Sequence, residues 1–85
     1  MPKVWMPKVT IYSRPRCGLC QEAVEQLIAL RREADFEWEV VNIDEDPELR
    51  QRYGEDVPVI AINGQAAFYH RLDAQTFLDR LKASS

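Results

Sequence analysis

Apolar positions along the chain change their spacing several times, and each change marks an element. Lys8-Val9-Thr10-Ile11-Tyr12 is alternating and β-branched, which predicts a first strand that stops at the turn residues Ser13-Arg14-Pro15. From Gly18 to about Ala34, Leu19, Ala23, Val24, Leu27, Ile28 and Leu30 recur at helical spacing, so an amphipathic helix is expected there. Trp38 to Ile43 reads as a second strand. Asp44-Glu45-Asp46-Pro47-Glu48 then opens a short helix. Asp46 can cap it, Pro47 suits its first position, and acids favour the positive end of the dipole. Gly54 is its natural stop. Val57 to Ile62 is read as a third strand, Asn63-Gly64 as a tight hairpin turn, and Gln65 to Tyr69 as the returning fourth strand. Asp73 caps a last helix whose buried stripe is Phe77, Leu78 and Leu81.

Strands alternating with helices imply a parallel pair, and the hairpin adds an antiparallel edge. The expected architecture is therefore α/β, in the order βαβαββα, with a mixed four-stranded sheet and three helices. The 85 residues suit a single small domain. Its expected limits are 8–82, with an N-terminal extension over 1–7 and a tail over 83–85. A content of 46% apolar and 29% charged residues is that of an ordinary globular chain. No apolar run approaches the roughly 18 residues that a membrane span needs, so no membrane association is expected.

Charge narrows the partners. Acids outnumber bases for a net charge of −3, which argues against a nucleic-acid binder. Glu33, Asp35, Glu37, Glu39, Asp44, Glu45 and Asp46 follow one another without a Lys or Arg between them and read as a solvated acidic face. Met-Pro-Lys-Val occurs at 1–4 and again at 6–9, too short for a structural repeat, and leaves open whether Met1 or Met6 begins the natural chain. The N-terminus has neither an apolar h-region nor a small-residue cleavage site, so a cytoplasmic location is expected. Such a compartment keeps thiols reduced, and a permanent structural staple is not the expected task of the two cysteines.

Those two cysteines carry the candidate chemistry. Cys17-Gly18-Leu19-Cys20 follows a strand and opens a helix, the placement of a redox dithiol. Residues three apart lie on one helix face, at a separation compatible with the roughly 5.5 Å between Cα atoms that a disulfide prefers. A thiolate at a helix N-terminus meets unpaired N–H groups and the positive dipole end, which can bring its pKa from ~8.5 to ~7 or below. Cys17, at the helix start, is the expected nucleophile, and Cys20, one turn further in, the resolving thiol. Arg14 and Arg16 flank the pair and are expected to add activating positive charge, although proximity in sequence leaves open which way they point. Two buried structural cysteines or half of a zinc site are the competing readings. The second lacks ligands, because a structural zinc takes four and His70 is the only histidine; no metal is expected, and His70 reads as a surface residue. Tyr12, Phe68 and Tyr69 are either core aromatics or an apolar patch beside the site.

The segment Ile11-Tyr12-Ser13-Arg14-Pro15-Arg16-Cys17-Gly18-Leu19-Cys20 resembles the strand-to-active-site segment of glutaredoxins, small members of the thioredoxin superfamily, with Arg14 where many carry lysine. The resemblance extends from Lys8 to Lys82 and implies a thioredoxin-like (glutaredoxin) fold. Val57-Pro58 looks like the family's Val-Pro pair, where the proline is cis, and Asn63-Gly64 like its hairpin turn. By that likeness, Val57 would offer backbone hydrogen bonds to an extended substrate, and Pro58 would block metal approach to the thiols. Asp46-Pro47-Glu48-Leu49 and the Cys-x-Leu-Cys motif are similar to those of a group of small bacterial glutaredoxin-like proteins.

Two departures stand out. Gly18 and Leu19 replace the proline and aromatic usual between the cysteines. Phe68 and Tyr69 occupy the positions of the family's Gly-Gly pair, and Asp73 sits about one residue late, which argues against its way of holding a glutathione carboxylate. The function implied is thiol-disulfide oxidoreduction by a monomer without a tightly bound cofactor. The substrate would be a disulfide-containing protein or a glutathione mixed disulfide, and the reductant glutathione or a thioredoxin reductase. An iron–sulfur carrier that uses Cys17, and a redox-inert binding module, are the alternatives.

Overall fold

The structure, a computed structural model, describes residues 6–84. Most of the expected 1–7 extension and the question of Met1 against Met6 therefore concern residues 1–5, outside the described residues. The chain runs β1 (Lys8–Ser13), α1 (Gly18–Leu30), β2 (Glu37–Asn42), a 3-10 turn (Ile43–Glu45), α2 (Pro47–Tyr53), β3 (Val59–Ile62), β4 (Gln65–Tyr69) and α3 (Ala74–Ser84). The sheet order is β2-β1-β3-β4. β1 runs parallel to β2, with Val9 opposite Trp38 and Ser13 opposite Asn42. It runs antiparallel to β3, with Val9 opposite Ile62 and Tyr12 opposite Val59, and β3 in turn runs antiparallel to β4.

Central and edge strands differ as their sequences require. All of β3 is buried and so are Val9, Thr10 and Ile11 of β1, because layers cover both faces of the central strands. On one face Val9, Ile11, Ile60 and Ile62 pack with Ala23, Leu27 and Leu30 of α1 and with Phe77 and Leu81 of α3. Phe36 and Phe77 meet edge to face there, with ring centroids 5.3 Å apart. Tyr12, next along β1 and so pointing to the opposite face, stacks on Tyr53 of α2 at 4.9 Å. Asn63 (φ 52°) and Gly64 (φ 85°) are both left-handed, as a two-residue hairpin turn of this kind demands.

Several element limits differ from expectation: β1 runs on to Ser13, and β2 spans Glu37–Asn42 rather than Trp38 to Ile43. α1 stops at Leu30 rather than near Ala34. The N–H groups of Arg32 and Glu33 donate to Ala29 and Leu30 (3.2 and 2.9 Å), and this tightened turn redirects the chain so that Phe36 enters the core. β3 begins at Val59, after the Val57–Pro58 pair. α3 continues through Ser84, into the stretch expected as a tail over 83–85. Within α1 the buried residues are Cys20, Ala23, Leu27 and Leu30, whereas Ile28 is 54% exposed and Leu19 39% exposed. Leu78 is half-buried against the core rather than inside it.

Candidate active site

The C-terminal end of β1 delivers the chain into a loop that leads straight to the two cysteines. Arg16 takes a left-handed backbone conformation (φ 61°), which turns the loop into the first residue of the helix cap. Cys17 is that cap. Its backbone is extended, and its Sγ accepts a hydrogen bond from the Cys20 N–H at 3.1 Å, as a serine or aspartate oxygen does in other helices. A sulfur held on an otherwise unpartnered helix N–H is where a negative charge is favoured. Cys17 and Cys20 form a disulfide, with their Cα atoms 5.2 Å apart. The two cysteines differ in burial: Cys17 is half-buried and Cys20 only 4% exposed. Beside them Gly18 borders open space, since a Cβ there would have no atom within 4 Å.

Val57 and Pro58 reach the same end of the sheet, because Tyr12 pairs with Val59. The peptide between them is cis. Pro58 is buried, and its carbonyl oxygen accepts from the His70 N–H at 2.8 Å. His70, itself left-handed at φ 70° and exposed, stands 3.6 Å from Asp56. The segment before β3 is thus tied to the end of β4, where Tyr69 lies opposite Val59.

The flanking arginines separate. Arg14 turns its guanidinium to Asp44 (Nε to Oδ1, 2.9 Å) and to the carbonyl of Gly54 (3.2 Å). Arg50 of α2 approaches the same carboxylate at 3.8 Å. Arg14 therefore clamps the β1–α1 loop to the 3-10 turn and to the end of α2, with much of its charge answered by Asp44. Arg16 is exposed. Asp44 belongs to the acidic run read as a solvated face, and this contact, thirty residues distant in sequence, carries no local signal. Others in that run also have tasks: Asp46 caps α2, and Glu39 meets Lys8 at 3.3 Å.

The three candidate aromatics also divide. Tyr12 stacks on Tyr53, Phe68 packs toward Phe77 at 6.4 Å, and Tyr69 is 50% exposed. Of the two residues that the resemblance sets at the family's glycine positions, Phe68 thus turns toward the core and only Tyr69 is exposed. Asp73 is occupied as the α3 cap, its Oδ1 accepting from the Gln75 and Thr76 N–H groups. A groove of about 560 Å³ runs from Leu19 along α1, facing the loop from His70 to Leu72. Among the described residues no cluster of three His, Cys, Asp or Glu side chains is placed to hold a metal ion, and no helix is long and apolar enough to cross a membrane.

A strand, a cysteine-capped helix with the second cysteine one turn on, and a cis proline across from them form the arrangement of thioredoxin-like folds, and residues 8–82 match the family described as Glutaredoxin-like domain (DUF836). The chain belongs to this glutaredoxin-like family. A protein from Nitrosomonas europaea solved by NMR superposes with a TM-score of 0.83 at 30% identity, covering 95% of this chain and 98% of that one. A protein from X. campestris, solved by X-ray crystallography, gives a TM-score of 0.71 at 35% identity, covering 91% of this chain and 99% of that one. An uncharacterized protein of Mycobacterium tuberculosis is 29% identical over 72 residues, 79% of this chain and 74% of the relative. A thioredoxin from Halobacterium salinarum gives a TM-score of 0.67 at 20% identity, covering 91% and 73%, a likeness of fold alone. This glutaredoxin-like chain thus has a thioredoxin-like fold with a disulfide-capable Cys-x-x-Cys motif.

Proposed function

We propose that the protein is a thiol-disulfide oxidoreductase in which Cys17 is the nucleophile and Cys20 the resolving thiol. The observation that carries this reading is the Cys17–Cys20 disulfide at the cap of α1, with Cys17 half-buried and Cys20 buried. In the reduced protein the Cys17 thiolate attacks one sulfur of a substrate disulfide. A Cys17–substrate bond forms, the substrate S–S bond breaks, and the departing thiolate takes a proton. Cys20, as thiolate, then attacks Cys17 Sγ, which closes the Cys17–Cys20 bond and releases the second substrate thiol. Two electrons pass from the dithiol to the substrate disulfide, and a further thiol reductant must return them.

The arrangement supports distinct roles for its neighbours. The Cys20 N–H and the α1 dipole stabilise negative charge at Cys17 Sγ. Arg16 adds positive charge at the cap, whereas Arg14, held by Asp44, acts more as a clamp on the loop. Val57, preceding the cis proline, offers its backbone to an extended substrate. The substrate is a protein disulfide or a glutathione mixed disulfide. The reductant is glutathione or a flavoprotein thioredoxin reductase, and Phe68 and Tyr69 in place of a Gly-Gly pair weigh against a glutathione site of the family's kind.

Single cysteine variants test this. Cys17→Ser should abolish disulfide reduction, and Cys20→Ser should accumulate a mixed disulfide at Cys17 detectable by intact mass. Turnover by Cys17→Ser equal to that of the unaltered protein would overturn the assignment.

A further inference from the structure

The groove that begins at Leu19 is lined by charges of both signs, carried on two different elements. From Leu19, between the two cysteines in sequence, it follows α1 past Glu22, Glu25 and Gln26 to Ala29. Arg71 and Leu72 stand on the other side. Gln26 closes the floor, its Nε2 donating to the Leu72 carbonyl at 3.2 Å. Neither Glu22 nor Glu25 nor the Arg71 guanidinium makes an ion pair or side-chain hydrogen bond with any described residue. His70, by contrast, is engaged by Asp56. Two carboxylates from α1 and one guanidinium from the loop after β4 thus line the same trough without pairing with each other.

We infer that this trough is the docking groove for the polypeptide next to the substrate cysteine, and that it selects an extended segment with basic side chains along one edge and acidic side chains along the other. This rests on the oxidoreductase reading above. From Leu19 to Ala29 is ten residues of helix, about 15 Å at 1.5 Å per residue. An extended chain rises about 3.3 Å per residue, so four or five substrate residues fill that length. Successive side chains of an extended chain point to opposite sides. A segment alternating Lys and Glu therefore turns every Lys toward Glu22 and Glu25 and every Glu toward Arg71. Leu19, 39% exposed at the mouth, gives the residue nearest the reacting cysteine an apolar contact. The charges lie at the rim, so they contribute to choice among substrates more than to raw affinity.

The test compares peptides whose cysteine is held as a mixed disulfide with 2-mercaptoethanol and is followed by Lys-Glu-Lys-Glu, Lys-Lys-Glu-Glu or four serines. The first two have one composition and one net charge, and only the first sorts its charges onto two edges. Each rate is the second-order rate constant for a single turnover of dithiothreitol-reduced, desalted protein, whose own dithiol supplies the two electrons, and is divided by that of the same protein on bis(2-hydroxyethyl) disulfide, which cancels any change at Cys17 itself. The unaltered protein should favour the alternating peptide over both others by about three- to tenfold in this ratio. Both Glu22→Gln/Glu25→Gln and Arg71→Gln should lower that preference to roughly twofold or less. Equal rates for the three peptides, or a preference that survives both variants, overturns the groove while leaving the redox reading intact. Failure of the unaltered protein to reduce bis(2-hydroxyethyl) disulfide overturns the redox reading and the groove with it.

Discussion

Arg16 holds a left-handed backbone one residue before Cys17. For a residue with a Cβ this conformation costs on the order of 1–2 kcal/mol, which glycine avoids, although glycine gives back roughly 0.4–1 kcal/mol through its greater freedom when unfolded. Arg16→Gly is therefore expected to be more stable than Arg16→Ala by about 0.5–1 kcal/mol in urea unfolding. The alanine variant removes the charge while retaining the strain, so the difference isolates the backbone. Equal stability of the two variants would show that the bend is not strained. His70 carries the same conformation at the far side of the site, with its N–H spent on the Pro58 carbonyl. Neither bend could be foreseen, because arginine and histidine carry none of the glycine or asparagine signal that marked the Asn63-Gly64 turn.

Among the elements, α2 shows how a short helix is stopped by packing. Gly54 was expected to end it, and it does, but not through a left-handed cap: its φ is −50°. A Cβ at this position would lie 2.5 Å from the Arg50 carbonyl oxygen, which already accepts the Gly54 N–H at 2.9 Å. The Gly54 carbonyl in turn receives Arg14. Gly54→Ala should thus cost about 1–3 kcal/mol, the usual range for overpacking, read as a lowered urea midpoint at unchanged slope. A midpoint within experimental error of the unaltered protein would mean that the helix end gives way freely. The periodic elements themselves were legible because their signals are local: β-branched alternation in β1, the Asp46-Pro47 cap of α2, the Asn-Gly turn before β4. The α1 terminus was not, since what ends that helix is the need to bring Phe36 into a core whose other members lie elsewhere in the chain.

Across the whole molecule, three separate segments meet at one end of the sheet: the capped dithiol after β1, the Val57–Pro58 pair before β3, and the His70–Leu72 stretch after β4. Cys17 and Cys20 could be read from sequence because their chemistry depends on a three-residue spacing. The contact of Arg14 with Asp44 and the common groove of Glu22, Glu25 and Arg71 could not, because each joins elements that only the fold brings together. The net acidity of the chain likewise concealed a division of labour, with Asp46 capping, Asp44 clamping, and Glu22 and Glu25 left unpaired along the groove. The oxidoreductase reading, and the docking groove that rests on it, depend on one property, a Cys17–Cys20 bond that forms and breaks reversibly. It is measured by equilibrating the purified protein in thiol/disulfide buffers of graded potential, alkylating the free thiols, and weighing the two forms by mass. A single reversible midpoint between about −180 and −270 mV, the range of working redoxins, is the expected result. No reversible disulfide in any buffer would contradict the dithiol mechanism outright.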